Sequence, residues 1–343
     1  MSIYKSFTII FLSLIITSCG SSSSQKKNDF AIKTNALKGN LSISDTLNLT
    51  IINKKSYTID SVSYTLNGEK IEKNHILINH KLGKHEIEAT IYLKDETQKA
   101  KTSVTILNNE APKIYTFNII NEYPHDITSY TQGLEFYEDF IYESTGQYKE
   151  SKLRKIVYKT GEVLKNINLS DEYFGEGLTI LNGKLYQLTW QENTGFVYDL
   201  ERLERLSTFK YGASKEGWGL CNDGETIFKS DGTEKIWTLN PETLEEQDYI
   251  QVFTNKGKIG RINELEWIDG YIYANIYGKN GVAIINPVNG AVVGVVDFSP
   301  LRKKVTQHPK LDVLNGLAFN TKTETLFVTG KLWDKLFEVE IIK

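Results

Sequence analysis

The sequence predicts an all-β chain in which a small immunoglobulin-like β-sandwich precedes a five-bladed β-propeller. Three observations carry this. The 343 residues include 19 Tyr, 15 Phe and 5 Trp against 6 Pro and 1 Met, and aromatic side chains favour pleated, half-buried surfaces. Short runs between 30 and 108 alternate with a period of two, the signature of half-buried strands. One motif then recurs five times at blade-length intervals. The balance of charge excludes one large class of function. Forty basic residues against 43 acidic give a net charge of −3, which leaves no basic excess to neutralise a phosphate backbone. With 40% hydrophobic and 24% charged residues, the chain has a globular composition.

The amino terminus reads MSIYKSFTIIFLSLIITSC. Lys5 supplies a basic start, Phe7 to Ile16 an apolar run, and Ile16-Thr17-Ser18-Cys19 resembles a bacterial lipobox. The apolar run is too short for a membrane span, so residues 1–18 are expected to be a signal peptide. Cys19 would carry the lipid, with 19–29 as a polar tether holding little to bury. This predicts a protein anchored in a bacterial cell envelope, facing the periplasm from the outer membrane, and leaves Cys221 without an intrachain partner.

Residues 30–110 form the expected sandwich. LSISDTLNLTIIN, SYTIDSVSYTLNG, HKLGKHEIEATIYLKD and QKAKTSVTILN alternate, with turns at Asn67-Gly68 and Leu82-Gly83. About seven antiparallel strands in this length suit an immunoglobulin-like fold. His75, His80 and His85 are spaced too irregularly to indicate a metal site, and a spacer or docking role is expected.

The repeats occupy 111–343. Their cores are Gln132 to Phe136, Glu176 to Ile180, Trp218 to Asn222, Asn263 to Trp267 and Asn315 to Phe319. The shared leucine falls at Leu134, Leu178, Leu220, Leu265 and Leu317, at intervals of 44, 42, 45 and 52 residues. That period suits four-stranded propeller blades. After each core come a turn, a strand such as YIYANIY, and a second strand such as KIWTLN. A fourth strand follows in the first four repeats. The fifth ends without one, and KIYTFNII at 113–120 is available to complete it and so remove two exposed edges.

In a propeller the first strand of each blade lines the central channel, and the residue before the core glycine faces its mouth. Those positions are Gln132, Glu176, Trp218, Asn263 and Asn315, a polar and aromatic ring with one carboxylate. Loops bring Phe174, Trp190, Glu216, Trp267, Asn275 and Lys331 near it, and Trp237 is assigned to the core.

SYTQGLEF, ESTGQYKESKLRKI, YFGEGLTILNGKLYQLTW, EGWGLCNDGETIFKSDGT, RINELEW, VLNGLAF and TGKLWDKLFEV together resemble the glutamine cyclotransferases of plants and bacteria. The likeness covers 113–343 and recurs in every repeat. It implies conversion of N-terminal glutaminyl residues to pyroglutamate with loss of ammonia. It also implies a catalytic carboxylate at Glu176 and a substrate cavity with Gln132, Phe174, Trp190, Trp218, Asn263, Glu264, Trp267, Asn315 and Lys331. The chain departs from the family pattern at Asp334, where Pro is common, and at Lys149, where Gly is usual.

The chemistry suits these residues. Ring closure is intramolecular, so the enzyme must mainly fold the substrate into its reactive conformer. One carboxylate can take the amine's proton and return it to the leaving group if aromatic walls tune it toward neutrality. Gln132, Asn315 or Lys331 is suited to polarise the amide oxygen. No histidine occupies a mouth position and no zinc-binding spacing occurs. A metal-free mechanism without a catalytic cofactor is therefore expected, and a structural cation in the channel is left open. The expected partners are N-terminal Gln peptides or proteins, and the expected state is a monomer. Two other readings fit the same residues. One is a non-catalytic peptide-binding propeller. The other is a glycan hydrolase or lyase using Glu216 or Glu264 as a second carboxylate.

Overall fold

The computed structural model describes residues 29–342. The expected signal peptide 1–18, Cys19 and all but the last residue of the expected tether lie outside the described residues. No helix among the described residues is long and apolar enough to cross a membrane.

The described residues are all-β, with one 3₁₀ turn at Leu301–Lys304. Eight strands precede the repeats, one more than the count expected from alternation, and form two sheets. One sheet has three strands, Phe30–Thr34, Thr46–Asn53 and Asn74–Ile76. The other has five and is centred on the long pair Gly83–Tyr92 and Thr97–Leu107. Leu47, Leu49, Ile87, Ile91, Val104 and Ile106 form the core between them. That core is completed from beyond these two sheets by Phe253 and Ala291. Leu82 N also donates to Asn289 O at 2.8 Å, and Lys81 pairs with Asp248. The irregularly spaced histidines meet in space: His75 Nε2 lies 2.8 Å from His80 Nε2, and His80 sits edge-on to His85.

Each repeat forms its own array of strands, the first three as separate sheets and the last two joined in one of eight strands. The first holds Thr131–Tyr137, Phe140–Thr145, Lys152–Val157 and Glu162–Asn168. The second runs from Gly175–Leu181 to Arg205–Phe209 and the third from Leu220–Asn222 to Glu246–Gln251. The fourth runs from Ile262–Ile268 to Val292–Asp297. The fifth has three strands of its own, ending at Lys335–Ile342, and takes Lys113–Pro124 as its fourth. The N-terminal strand expected to complete the last repeat thus pairs antiparallel with the final strand from Thr116↔Ile342 to Pro124↔Lys335. Its first residues also pair parallel with Val292–Asp297, which joins the fourth and fifth sheets.

The first strands of all five sheets pack side by side in a closed ring, and the core glycines make this approach physically necessary. A Cβ on Gly133 would lie 2.6 Å from Leu178 N, one on Gly177 2.6 Å from Gly219 Cα, and one on Gly219 2.1 Å from Asn263 O. Backbone packs on backbone there, so only hydrogen fits. Buried carboxylates then tie strand to strand. Glu135 accepts Ile180 N–H at 3.0 Å, Glu264 accepts Leu317 N–H at 3.1 Å, and Glu266 accepts Phe319 N–H at 2.9 Å. Burial pushes the carboxyls of all three upward, Glu135 to about 8.

Candidate functional site

Four of the five core strands carry a register shift just before the shared leucine. The breaks fall at Thr131/Gly133, Gly175/Leu178, Ile262/Leu265 and Leu314/Leu317. A bulge re-aims the side chain it carries, and Gln132, Glu176 and Asn263 sit in three of these and turn into one cavity. The third core solves the problem differently. Its strand begins only at Leu220, while Trp218 N donates to Ser230 O at 3.1 Å and Gly219 N to Ser230 Oγ at 2.7 Å, swinging the indole inward.

The walls come from a second repeating position. The core leucines pair with Glu143, Gln187, Lys229, Ala274 and Val328 on the next strand. Three residues beyond each partner stand Gly146, Trp190, Gly232, Tyr277 and Lys331. Trp190, Tyr277 and Lys331 project into the cavity. The two glycines make room for neighbours: a Cβ on Gly146 would meet Phe174 at 2.2 Å, and one on Gly232 would meet Trp218 at 2.4 Å. The Phe174 ring is itself hemmed edge-on by Tyr130, Tyr148 and Trp190 and can yield only into the cavity. Gly146→Ala is therefore expected to cost about 1–3 kcal/mol of stability and to lower activity at least tenfold. Thermal unfolding and near-UV circular dichroism read the displaced ring.

The cavity measures about 220 Å³ and is lined by Tyr130, Gln132, Gln147, Phe174, Glu176 and Trp190, with Trp218, Asn263, Tyr277 and Lys331 opposite. This is below the usual volume of a drug-sized pocket and suits a single amino-acid residue. Of the residues expected from sequence, seven line it. Three lie elsewhere. Asn315 is buried behind Gln132, donating to Thr131 O at 3.0 Å and to Gln132 Oε1 at 3.4 Å. Glu264 is consumed by the backbone of the fifth core strand, as above. Trp267 is half-buried and stacks on Phe228 at 5.4 Å, nearly parallel, against the hydrophobic core. Trp237 is buried, as assigned, with Nε1 donating to Asp231 at 2.8 Å. Tyr130, Gln147 and Tyr277 were not among the expected residues.

Electrostatics centre on Glu176. Gln132 Nε2 donates to its Oε1 at 2.9 Å, and Asn315 fixes the orientation of that amide by donating to its oxygen. Oε2 has no hydrogen-bond partner among the described residues. Burial pushes the Glu176 carboxyl well above the ordinary range; Lys331 opposes the shift, and Glu216 and Glu192 reinforce it. Lys331 lies with Nζ 4.6 Å from the Tyr130 ring centre and 5.2 Å from that of Tyr277, and burial lowers it to about 8. Desolvation thus drives both members of the pair toward their neutral forms while their attraction holds the charges. Among the described residues no group of three His, Cys, Asp or Glu is arranged to hold a metal ion.

The two departures from the family pattern have structural accounts. Lys149 occupies the left-handed region at φ 70°, where glycine is free of strain. Asp334 accepts from Thr306 N at 2.9 Å and from Thr306 Oγ1 at 2.6 Å, tethering the loop that follows the 3₁₀ turn.

Fold and cavity together define an all-β protein of five repeated sheets around a buried, aromatic-walled carboxylate. The family model for glutamine cyclotransferase matches residues 88–341. The chain is 39% identical over 232 residues to a glutaminyl-peptide cyclotransferase of Arabidopsis thaliana, covering 67% of this chain and 72% of that protein. It superposes on the crystal structure of Myxococcus xanthus glutaminyl cyclase with a TM-score of 0.63 and 36% identity, over 67% of this chain and 98% of that one. The chain belongs to the glutamine cyclotransferase family.

Proposed function

We infer that this chain is a glutaminyl-peptide cyclotransferase, converting N-terminal glutaminyl residues of peptides and proteins to pyroglutamate with release of ammonia. The observation that carries the chemistry is the free Oε2 of Glu176, a buried carboxylate oxygen aimed at no protein partner. In our mechanism the substrate's side chain folds between Phe174, Trp190 and Trp218, bringing its α-amine onto the side-chain carboxamide carbon. Glu176 takes a proton from the amine as the C–N bond of the ring forms. It returns that proton to the departing NH₂ as the second C–N bond breaks, so one carboxylate serves as base and then acid. Negative charge develops meanwhile on the amide oxygen. Gln132 is committed to Glu176 and Asn315 to Gln132, which leaves Lys331 as the cationic group to stabilise that oxygen.

We read the ring as a five-bladed β-propeller and the two preceding sheets as an immunoglobulin-like sandwich, dividing the chain between 110 and 111. The lipobox-like Ile16-Thr17-Ser18-Cys19 supports an acylated Cys19 and a tethered enzyme in the periplasmic space of a bacterial envelope. Mass spectrometry tests the activity. A Gln-peptide incubated with the enzyme should lose one molecule of ammonia, and the same peptide with N-terminal Asn should not. Unaltered Gln-peptides across several sequences would overturn this function.

A further inference from the structure

Glu216 touches no atom of the reacting centre, yet it links two walls of the cavity. Its Oε2 accepts from Trp190 Nε1 at 2.7 Å and from Trp218 Nε1 at 2.8 Å, one oxygen bridging both indoles. The segment that carries it is held from behind. Lys229, fully buried, donates from Nζ to Glu216 O at 2.9 Å and pairs with Glu246 at 3.4 Å. Glu246 accepts from Ser214 in turn. Gly217 N donates to Trp190 O at 3.0 Å, fastening the same segment to the opposite wall. A Cβ on Gly217 would lie 2.5 Å from Tyr211 Oη, so the segment has one seating.

We propose that Glu216 is a positioning residue for the cyclisation, setting the separation of the two indole walls between which the glutaminyl side chain folds. The proposal rests on the cyclisation reading above. An intramolecular ring closure depends on how closely the substrate is held to its reactive conformer, and an error of about 1 Å in such positioning costs about 10²-fold in rate. A neutral acceptor at 216 would hold the indoles less firmly than a carboxylate, because charge-assisted hydrogen bonds are the stronger kind. The carboxylate also faces Glu176 electrostatically. Glu216 and Glu192 act against ionisation of Glu176 and Lys331 acts for it. Tyr130, Tyr148 and Tyr211 are the other titratable groups coupled to Glu176. Lys215 neighbours Glu216 in the chain, and Lys229 reaches only its backbone oxygen.

Two variants separate wall positioning from charge. Glu216→Leu removes the acceptor and is expected to lower kcat/KM for a Gln-peptide about 10–100-fold, with altered near-UV circular dichroism and a cooperative thermal transition retained. Glu216→Gln keeps one acceptor oxygen and should recover most of that loss. It should also move the acid limb of the pH–rate profile to lower pH, because a charge opposing ionisation of Glu176 has gone. Glu216→Leu with kcat/KM within twofold of the parent and unchanged near-UV signal overturns the proposal. So does Glu216→Gln that is as impaired as Glu216→Leu with its acid limb unmoved. If Glu216→Leu does not fold, Glu216→Asp decides, since it keeps the charge and withdraws the acceptor from the indoles: kcat/KM within twofold of the parent with an unchanged near-UV signal overturns the proposal. Failure of the cyclisation reading shows separately, as absence of ammonia release by the parent enzyme, and the near-UV comparison then still reads the indole clamp.

Discussion

Glu176→Gln is expected to reduce ammonia release from a Gln-peptide by about 10²–10⁴-fold, the usual contribution of a positioned acid–base group. The substitution is close to isosteric, and the new amide oxygen still accepts from Gln132 Nε2. Lys331 is the cavity group whose charge Glu176 supports, and its stem keeps its seat beside Tyr130 and Tyr277, so KM should stay within a few-fold of the parent. Stability should change little: the buried Lys331 loses its countercharge, but burial already lowers it to about 8, so it can shed its proton instead of standing charged and unpaired. Steady-state ammonia release and thermal unfolding, measured on the same preparation, check both halves. Turnover within about tenfold of the parent would remove Glu176 from the proton path. The glycan-cleaving alternative would then lose its carboxylates as well: Glu264 is committed to backbone and Glu216 to the indoles.

The second large effect is expected at Lys331. Lys331→Met keeps the length and the stem that packs beside Tyr130 and Tyr277 while removing the charge. Loss of an electrostatic donor to a developing oxyanion lowers kcat by about 10²–10³-fold. The pH profile carries a sharper signature. Lys331 favours ionised Glu176, so its removal raises the carboxyl further, and the acid limb, where Glu176 must lose its proton to act as base, moves to higher pH. The parent should also lose activity as Lys331 itself deprotonates near 8, and that basic limb should vanish in the variant. The substrate's α-amine titrates in the same region but does so equally in both enzymes, so the difference between the two profiles isolates Lys331. An unmoved acid limb would show that the two groups do not sense each other.

Much of the ring was legible because packing imposes period on sequence. Leu134, Leu178, Leu220, Leu265 and Leu317 recur because each first strand must seat the same apolar side chain at the same depth, beside a glycine wherever backbones touch. The bulge residues were legible for a related reason: Gln132, Glu176 and Asn315 precede those glycines, and Asn263 holds the same place before Glu264, two residues ahead of the shared leucine. The misplacements have a physical pattern. Trp267 lies on a first strand but beyond the bulge, where alternation turns it outward onto Phe228. Glu264 looks like a cavity carboxylate by type, but backbone N–H groups of the fifth core strand claim it. Asn315 has the right position and serves one step back, orienting Gln132. Tyr277 was missed although a signal for it existed. Gly146, Trp190, Gly232, Tyr277 and Lys331 are as periodic as the leucines, but their side chains share no chemistry, so only the strand register reveals them. Tyr130 stands four residues before Leu134, the place Phe174 holds before Leu178 and Glu216 before Leu220, and Gln147 follows Gly146 as Gln191 follows Trp190; both were missed because the side chains at the first of these positions share no chemistry.

The strand Lys113–Pro124 has a consequence for the order in which the protein can be made. Its antiparallel partner is the strand Lys335–Ile342, and Asn121 bonds Glu338 across 217 residues. A ribosome delivers the first partner long before the second, so the nascent chain must carry an open sheet edge through synthesis of nearly all five repeats. Contacts this distant in sequence slow folding, and an unpaired edge invites association with other chains. The fourth sheet offers interim cover, because residues 113–115 also pair with 294–296 and those emerge earlier. Closing the ring then waits for the strand Lys335–Ile342, and Lys331 arrives only just before it. A chain released early would hold Glu176 without its countercharge and so be inert as well as unclosed.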